Sequence, residues 1–274
     1  MNAPELPPIR LTQFSHGGGC GCKIAPGVLQ QILGNASALP LDAIRRILDG
    51  GQSICASAGI PIAGGHTIDT VEPIYGLVAI GVVDPQRLRR NADARDGDVI
   101  VLGKPLGVGI YSAALKRGIL DGAAYRAMID STTRLNTPGI ALAAMPDVHA
   151  LTDVTGFGLL GHLLEMCRGA SVGAEVEFTR LPMLPGAFEL ARDGCVTGAS
   201  GRNWDGYGHD VALGPAIGTG ERGVLTDPQT SGGLLVACAP EAVEAVLDVF
   251  RREGFAAATP IGRFTAGRVR INVS

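Results

Sequence analysis

Ser15-His-Gly-Gly-Gly-Cys-Gly-Cys-Lys23 places a run of three glycines, two thiols and one ammonium in a single short segment. Without side-chain bulk, backbone N–H groups can approach an anion closely. Lys23 adds a mobile cation that neutralises phosphate charge. A nearby positive charge also lowers a thiol's pKa and favours the nucleophilic thiolate. The segment therefore offers a phosphate cradle, a cation and reactive sulfur at Cys20 and Cys22. Two other readings stay open. A glycine-rich stretch near an N-terminus can be a flexible tail. His16, Cys20 and Cys22 could also bind zinc, although Cys-x-Cys is tighter than the usual spacing and a fourth ligand is needed.

A second segment, Thr152-Asp-Val-Thr-Gly-Phe-Gly-Leu-Leu-Gly-His162, joins an expected strand to an expected helix. Asp153 falls at the strand's carboxyl end, and the helix that follows presents unpaired N–H groups to an anion. A carboxylate there can bind Mg²⁺, which keeps water and phosphate as its other ligands. Equally, Asp153 or Thr155 could simply cap the helix. His162 reads as a packed helix residue. Gly64-Gly65-His66-Thr67 is a polar turn after a short apolar stretch and could face a ligand, or be a plain turn. Asp227-Pro-Gln-Thr-Ser-Gly-Gly233 combines turn residues with hydroxyls and an amide; it could shape a site, but reads first as a loop end. Asn203 to His209, with Trp204 and Tyr207, reads as a surface loop over a pocket.

Positioning these groups requires alternating strands and helices. Leu41 to Ser57 has apolar residues at helical spacing, weakened by Gly50-Gly51. Ile74 to Val83 is apolar and β-branched, which predicts a strand buried on both faces. Gln86 to Gly97 is polar and forms a candidate linker, with Arg87, Arg89 and Arg90 as a solvated basic face. Beyond it, strands are expected at 98–102, 148–152, 174–178, 233–238 and 269–273. Helices are expected at 109–117, 123–135, 137–144, 157–167 and 241–252. The pattern is that of an α/β or α+β protein.

The 274 residues suffice for one large or two ordinary domains. Hydrophobic residues make up 46% but aromatics only 4%, so the core must rest on aliphatic side chains. Forty glycines point to tight turns and ligand-facing loops rather than a helical bundle. A net charge of −3 without a basic stripe argues against nucleic-acid binding. No apolar stretch is long enough to span a bilayer. Met1 to Pro8 lacks the basic start and apolar run of a signal peptide, so cytoplasmic residence is the expectation. Apart from the Cys20–Cys22 pair the cysteines are scattered, which is not a secreted disulfide framework. Cys55, Cys167, Cys195 and Cys238 read as buried.

Together and in this order, these motifs resemble those of the selenophosphate synthetases. The matching stretches are Arg10 to Lys23, Ala63-Gly-Gly-His-Thr-Ile-Asp69, Glu72-Pro-Ile-Tyr-Gly76, Thr152 to His162 and Asp227 to Leu234. The first and fourth are the most specific. Aminoimidazole ribonucleotide synthetase and thiamine-monophosphate kinase share the fold of that family. The resemblance implies a two-domain aminoimidazole-ribonucleotide-synthetase-like α/β architecture. Residues 1–90 would form an ATP-binding and dimerisation domain, and 91–274 a C-terminal domain. It implies a reaction in which ATP, selenide and water give selenophosphate, AMP and phosphate. It makes Cys20 and Lys23 catalytic, with Lys23, Gly65, His66 and Thr67 at ATP and Asp153 as a Mg²⁺ ligand. It further implies a cytoplasmic homodimer with no nucleic-acid or membrane partner.

The resemblance breaks between about Leu33 and Leu39, where only Gly34-Asn-Ala-Ser-Ala38 lies. The family carries there a segment with an Asp-Asp-Ala-Ala motif, a Thr-Thr-Asp motif and a later Ser-Asp pair. Roughly seventy to eighty residues are missing, about half an ordinary domain. The N-terminal domain is thus expected to be truncated, short of three aspartates for Mg²⁺ and ATP and of several strands. This sets an alternative beside the enzyme reading: an inactive remnant that binds nucleotide weakly or dimerises.

Overall fold

The computed structural model describes residues 39–67 and 73–274. Cys20, Lys23, His16 and Asp69 lie outside the described residues. The chain divides into two compact units with the boundary at Val82 and Val83.

In the first unit, helix α1 (Leu41–Ser57) follows Pro40. The Gly50-Gly51 pair does not break it. Gly51 is buried, and a Cβ there would collide with the Tyr75 hydroxyl, so its place is a close approach between helix and chain. The strand expected over Ile74 to Val83 does not form: residues 73–83 are irregular and exposed. Val78, Ile80 and Val82 are 89%, 95% and 104% exposed. A strand buried on both faces needs neighbours on both sides, and none of the described residues pairs with it.

The second unit is built on a seven-stranded sheet in the order β2-β5-β1-β6-β3-β7-β4. Its strands are β1 (Val99–Leu102), β2 (Val148–Asp153), β3 (Gly173–Val176), β4 (Val211–Leu213), β5 (Leu234–Cys238), β6 (Thr259–Thr265) and β7 (Ile271–Val273). β5 runs antiparallel to both β1 and β2, so the carboxyl ends of β1 and β2 meet the start of β5. β3 pairs parallel with β7, and β7 parallel with β4.

The helices of this unit are α2 (Val108–Arg117), α3 (Gly122–Thr133), α4 (Pro138–Ala143), α5 (Gly158–Ala170), α6 (Ala187–Arg192), α7 (Gly198–Tyr207), α8 (Thr219–Leu225) and α9 (Val243–Arg252). α5 is apolar almost all round and fills the main core from one side of the sheet, with Leu159, Leu160, Leu163 and Leu164 fully buried. α9 is amphipathic: Val246, Val249 and Phe250 pack on Val101, Val236 and Cys238 on the other side. β5 lies between the two and is buried at every residue. The Asp121 carboxylate starts α3 by accepting the Ala124 N–H at 2.8 Å, satisfying one of the donors a helix leaves free. The Thr197 hydroxyl does the same for Ser200 at the start of α7.

Asn203 to His209 therefore belongs mostly to a helix, not to the expected loop. Four glycines between 198 and 208 lower its helix propensity, and tertiary contacts override that. Tyr207 is buried, and the Arg222 guanidinium lies over the Trp204 ring. The expected linker also has a structural part: Ala94 joins the main core and Ala92 packs against Gly169. At the start of β1 and β2, His149 Nδ1 lies 2.8 Å from Asp98 Oδ1 and its Nε2 3.0 Å from Arg95 Nη1. The His149–Asp98 contact is buried and ties the two strand starts together.

Candidate functional site

Asp153 is the last residue of β2, paired in register with Leu234 of β5. Its side chain is exposed, and among the described residues no ion pair or hydrogen bond engages the carboxylate. Val154 is fully buried and turns the chain away from the sheet. Residues 155–157 then lead into α5. Neither Asp153 nor Thr155 caps that helix, because the residue before it is Phe157 and no side chain accepts there. The capping alternative thus drops out, and the Asp153 carboxylate is available for other roles.

The 153–157 loop is fixed from three sides. From the 227–233 turn, the Gln229 N–H donates to the Thr155 carbonyl at 2.9 Å. From α5, His162 Nε2 lies 3.0 Å from the Thr155 hydroxyl. From α7, Asn203 Nδ2 donates to the Gly156 carbonyl at 2.9 Å and the Tyr207 hydroxyl donates to the Phe157 carbonyl at 2.6 Å. Gly158 has φ +69°, and a Cβ there would press on the Thr226 backbone. A glycine is required both by the left-handed backbone and by the space. His162 is accordingly a packed helix residue that steadies the loop.

The turn from Asp227 to Gly233 is more than a loop end. Asp227 is fully buried, and its Oδ2 accepts the Gly109 N–H at 3.0 Å and Gln229 Nε2 at 2.8 Å. Gln229 Oε1 accepts the Val108 N–H at 3.3 Å. The turn is thereby seated on the N-terminus of α2, where the helix dipole favours a carboxylate. Burial outweighs these hydrogen bonds and pushes the Asp227 carboxyl up to about 7.

Four consecutive carbonyls at the end of the turn have four different partners. That of Ser231 takes Lys104 Nζ at 2.7 Å, and that of Gly232 takes Asn136 Nδ2 at 2.8 Å. That of Gly233 takes the Val154 N–H at 3.0 Å, and that of Leu234 the Gly103 N–H at 2.8 Å. Lys104 also donates to the carbonyls of Arg134 at 2.7 Å and Ser131 at 3.1 Å. Burial lowers its ammonium to about 8, helped by the Arg134 charge and opposed by that of Asp153. Sequence reasoning passed over Lys104 and Asn136, and noted the Gln229 amide without its partners. Lys104 lies in a Gly-Lys-Pro-Leu-Gly loop, and an unpaired lysine between glycines is its one local signal.

A single exposed carboxylate fits Mg²⁺ carried in on a nucleotide, which needs only one or two protein carboxylates. It does not make an all-protein cage, and among the described residues no three His, Cys, Asp or Glu side chains cluster as metal ligands. Gly65, His66 and Thr67 are exposed in the first unit. The four cysteines among the described residues are all buried. Burial pushes the thiols of Cys167 and Cys238 up to about 12, which leaves them inert. A cleft of about 580 Å³ opens on the sheet between Glu175, Arg180, Arg263 and Asn272. None of the expected site residues lines it.

The model of the AIR synthase related protein C-terminal domain matches residues 95–274, and that of the N-terminal domain matches 24–83. The chain is 47% identical to the selenide, water dikinase of Pseudomonas straminea over 342 residues, covering 96% of each. It is 48% identical to that of Burkholderia pseudomallei strain K96243 over 342 residues, covering 97% of each. These alignments are longer than the 274 residues of this chain, so the relatives carry internal sequence that it lacks. Among solved structures, E. coli HypE is similar with a TM-score of 0.61 and 18% identity, over 86% of this chain and 66% of that one. That likeness extends to the fold. The architecture is the two-domain α/β arrangement of AIR-synthase-like proteins.

Proposed function

The chain belongs to the selenide, water dikinase family, and from that premise we propose that it makes selenophosphate from ATP, selenide and water, releasing AMP and phosphate. The observation that carries this reading is near-full-length identity of 47% to a relative of that name. Residues 1–90 serve ATP binding and dimerisation, and 91–274 supply the Asp153 loop. The protein acts as a cytoplasmic homodimer.

Phosphoryl transfer depends mainly on positioning and charge neutralisation. Asp153 would hold the Mg²⁺ that travels with the triphosphate, and that ion would supply neutralisation of developing phosphate charge. Gly65, His66 and Thr67 reach the nucleotide from an exposed, irregular stretch of chain. Lys23 contacts its phosphates and depresses the pKa of the Cys20 thiol. Cys20 then provides a soft thiolate suited to handling selenide. A fixed 153–157 loop supports this reading, because the carbonyls of Thr155, Gly156 and Phe157 are all engaged while the Asp153 carboxylate is exposed.

A second reading follows from the alignment length: a chain without the missing segment binds nucleotide weakly and does not turn over. Anaerobic assay of AMP release separates the two. Under the first, AMP release requires selenide and is abolished in Cys20→Ala and Lys23→Ala. AMP release that ignores both selenide and these substitutions contradicts it.

A further inference from the structure

We propose that Lys104 is a positioning residue for Asp153, locking the 231–234 turn against the carboxyl end of β2; this rests on the reading of Asp153 as the Mg²⁺-ATP ligand. Lys104 is only 3% exposed, yet its hydrogen-bond partners are backbone carbonyls alone. A buried ammonium without a hydrogen-bonded carboxylate is costly. An apolar side chain would fill the space more cheaply, but it would leave three carbonyl oxygens without a donor. The three carbonyls come from different places: Ser131 in α3, Arg134 just after it, and Ser231 in the turn. One ammonium therefore joins segments far apart in sequence.

The tie reaches Asp153 by a short route. Two residues after Ser231, the Gly233 carbonyl accepts the Val154 N–H, and Asp153 faces Leu234 across the ladder. Space at this point is already closed. A Cβ at Gly233 would collide with the Lys104 backbone nitrogen, and one at Gly232 with the Val154 carbonyl oxygen. Lys104 and Val154 thus limit how far the turn can shift toward them. The charges that act on the ammonium are those of Arg134, just after α3, and Asp153, at the end of β2.

Hydrogen exchange on the full chain, comparing wild type with Lys104→Met, tests the tie. Exchange is expected to rise about tenfold at residues 152–156 and 230–234 and to stay unchanged in α9, the mark of a local opening. Lys104→Gln keeps two N–H donors without the charge and serves if Lys104→Met does not fold; its rise is smaller and at the same places. Exchange unchanged at 152–156, or raised equally in α9, overturns the inference. Mn²⁺-ATP binding by electron paramagnetic resonance, with Mn²⁺ in place of Mg²⁺, adds a readout that mere structural support would not move. It is expected to weaken in Lys104→Met and to be lost in Asp153→Asn. Affinity unchanged in Asp153→Asn despite a local rise in exchange contradicts the Asp153 reading itself, whereas affinity lost in Asp153→Asn but unchanged in Lys104→Met contradicts the positioning role.

Discussion

The Val154 N–H donates to the Gly233 carbonyl at 3.0 Å, joining the loop that carries Asp153 to a turn some eighty residues further on. With Gly232 pressed against the Val154 carbonyl, this pair sets how far the Asp153 loop can move.

Gly232→Ala forces that contact apart. The added methyl meets backbone on one side and Gln229 on the other, neither of which can swing away. Chemical denaturation of the variant is expected to show a loss of about 1–3 kcal/mol, typical of overpacking. Unchanged stability would mean that the turn and the loop are not in firm contact.

Asp227 makes stability depend on pH in a calculable direction. Its carboxyl sits near 7 in the folded chain, against about 4 when unfolded. Between those values the folded state holds a proton that the unfolded state has released. The stabilisation is full below about pH 4 and is lost as pH rises to about 7. In Asp227→Asn that fall in stability is expected to be absent or much reduced. Thermal melts of both proteins at pH 5 and 7.5 measure it, and parallel shifts in the two would contradict the assignment.

Asp153 gives a prediction about affinity. Among the described residues one carboxylate is poised for the ion, which provides few hard ligands, so under the second reading Mg²⁺-ATP is expected to bind weakly. Asp153→Asn should weaken it by a further tenfold or more, about 1.4 kcal/mol. Calorimetry with and without Mg²⁺ reads both numbers. Tight, Mg²⁺-dependent binding by the wild type would show that other groups replace the missing aspartates.

The exposed apolar run around Ile80 and Val82 gives a prediction about association. Exposed, β-branched backbone without a sheet partner promotes self-pairing. Light scattering is expected to show higher-order species in the wild type and fewer in Ile80→Asp with Val82→Asp. Equal size distributions for the two would mean that this segment takes no part.

Much of the second unit was legible in the sequence because its elements carry a clear period. Strands β1, β2 and β5 and helices α2, α5 and α9 fall where apolar spacing places them. Asp153 was likewise legible, since a strand followed by a glycine-rich helix start marks a carboxyl end. Ile74 to Val83 shows the limit of that signal: composition reports that a segment needs burial, not whether a neighbour exists to provide it. Helix α7 was hidden by its glycines, which lower propensity while its stability comes from Tyr207 and Trp204. Lys104 and Gln229 were hidden for a further reason. Their partners lie 30 and 127 residues away for Lys104 and 121 for Gln229, and no local pattern encodes a hydrogen bond across that distance.

Phosphorus NMR of the purified chain with ATP, Mg²⁺ and selenide under anaerobic conditions reads the proposed reaction itself. A selenophosphate resonance is expected to grow together with those of AMP and phosphate. Unchanged ATP from a protein shown to be folded would contradict it, and would leave a member of the family that has lost its chemistry.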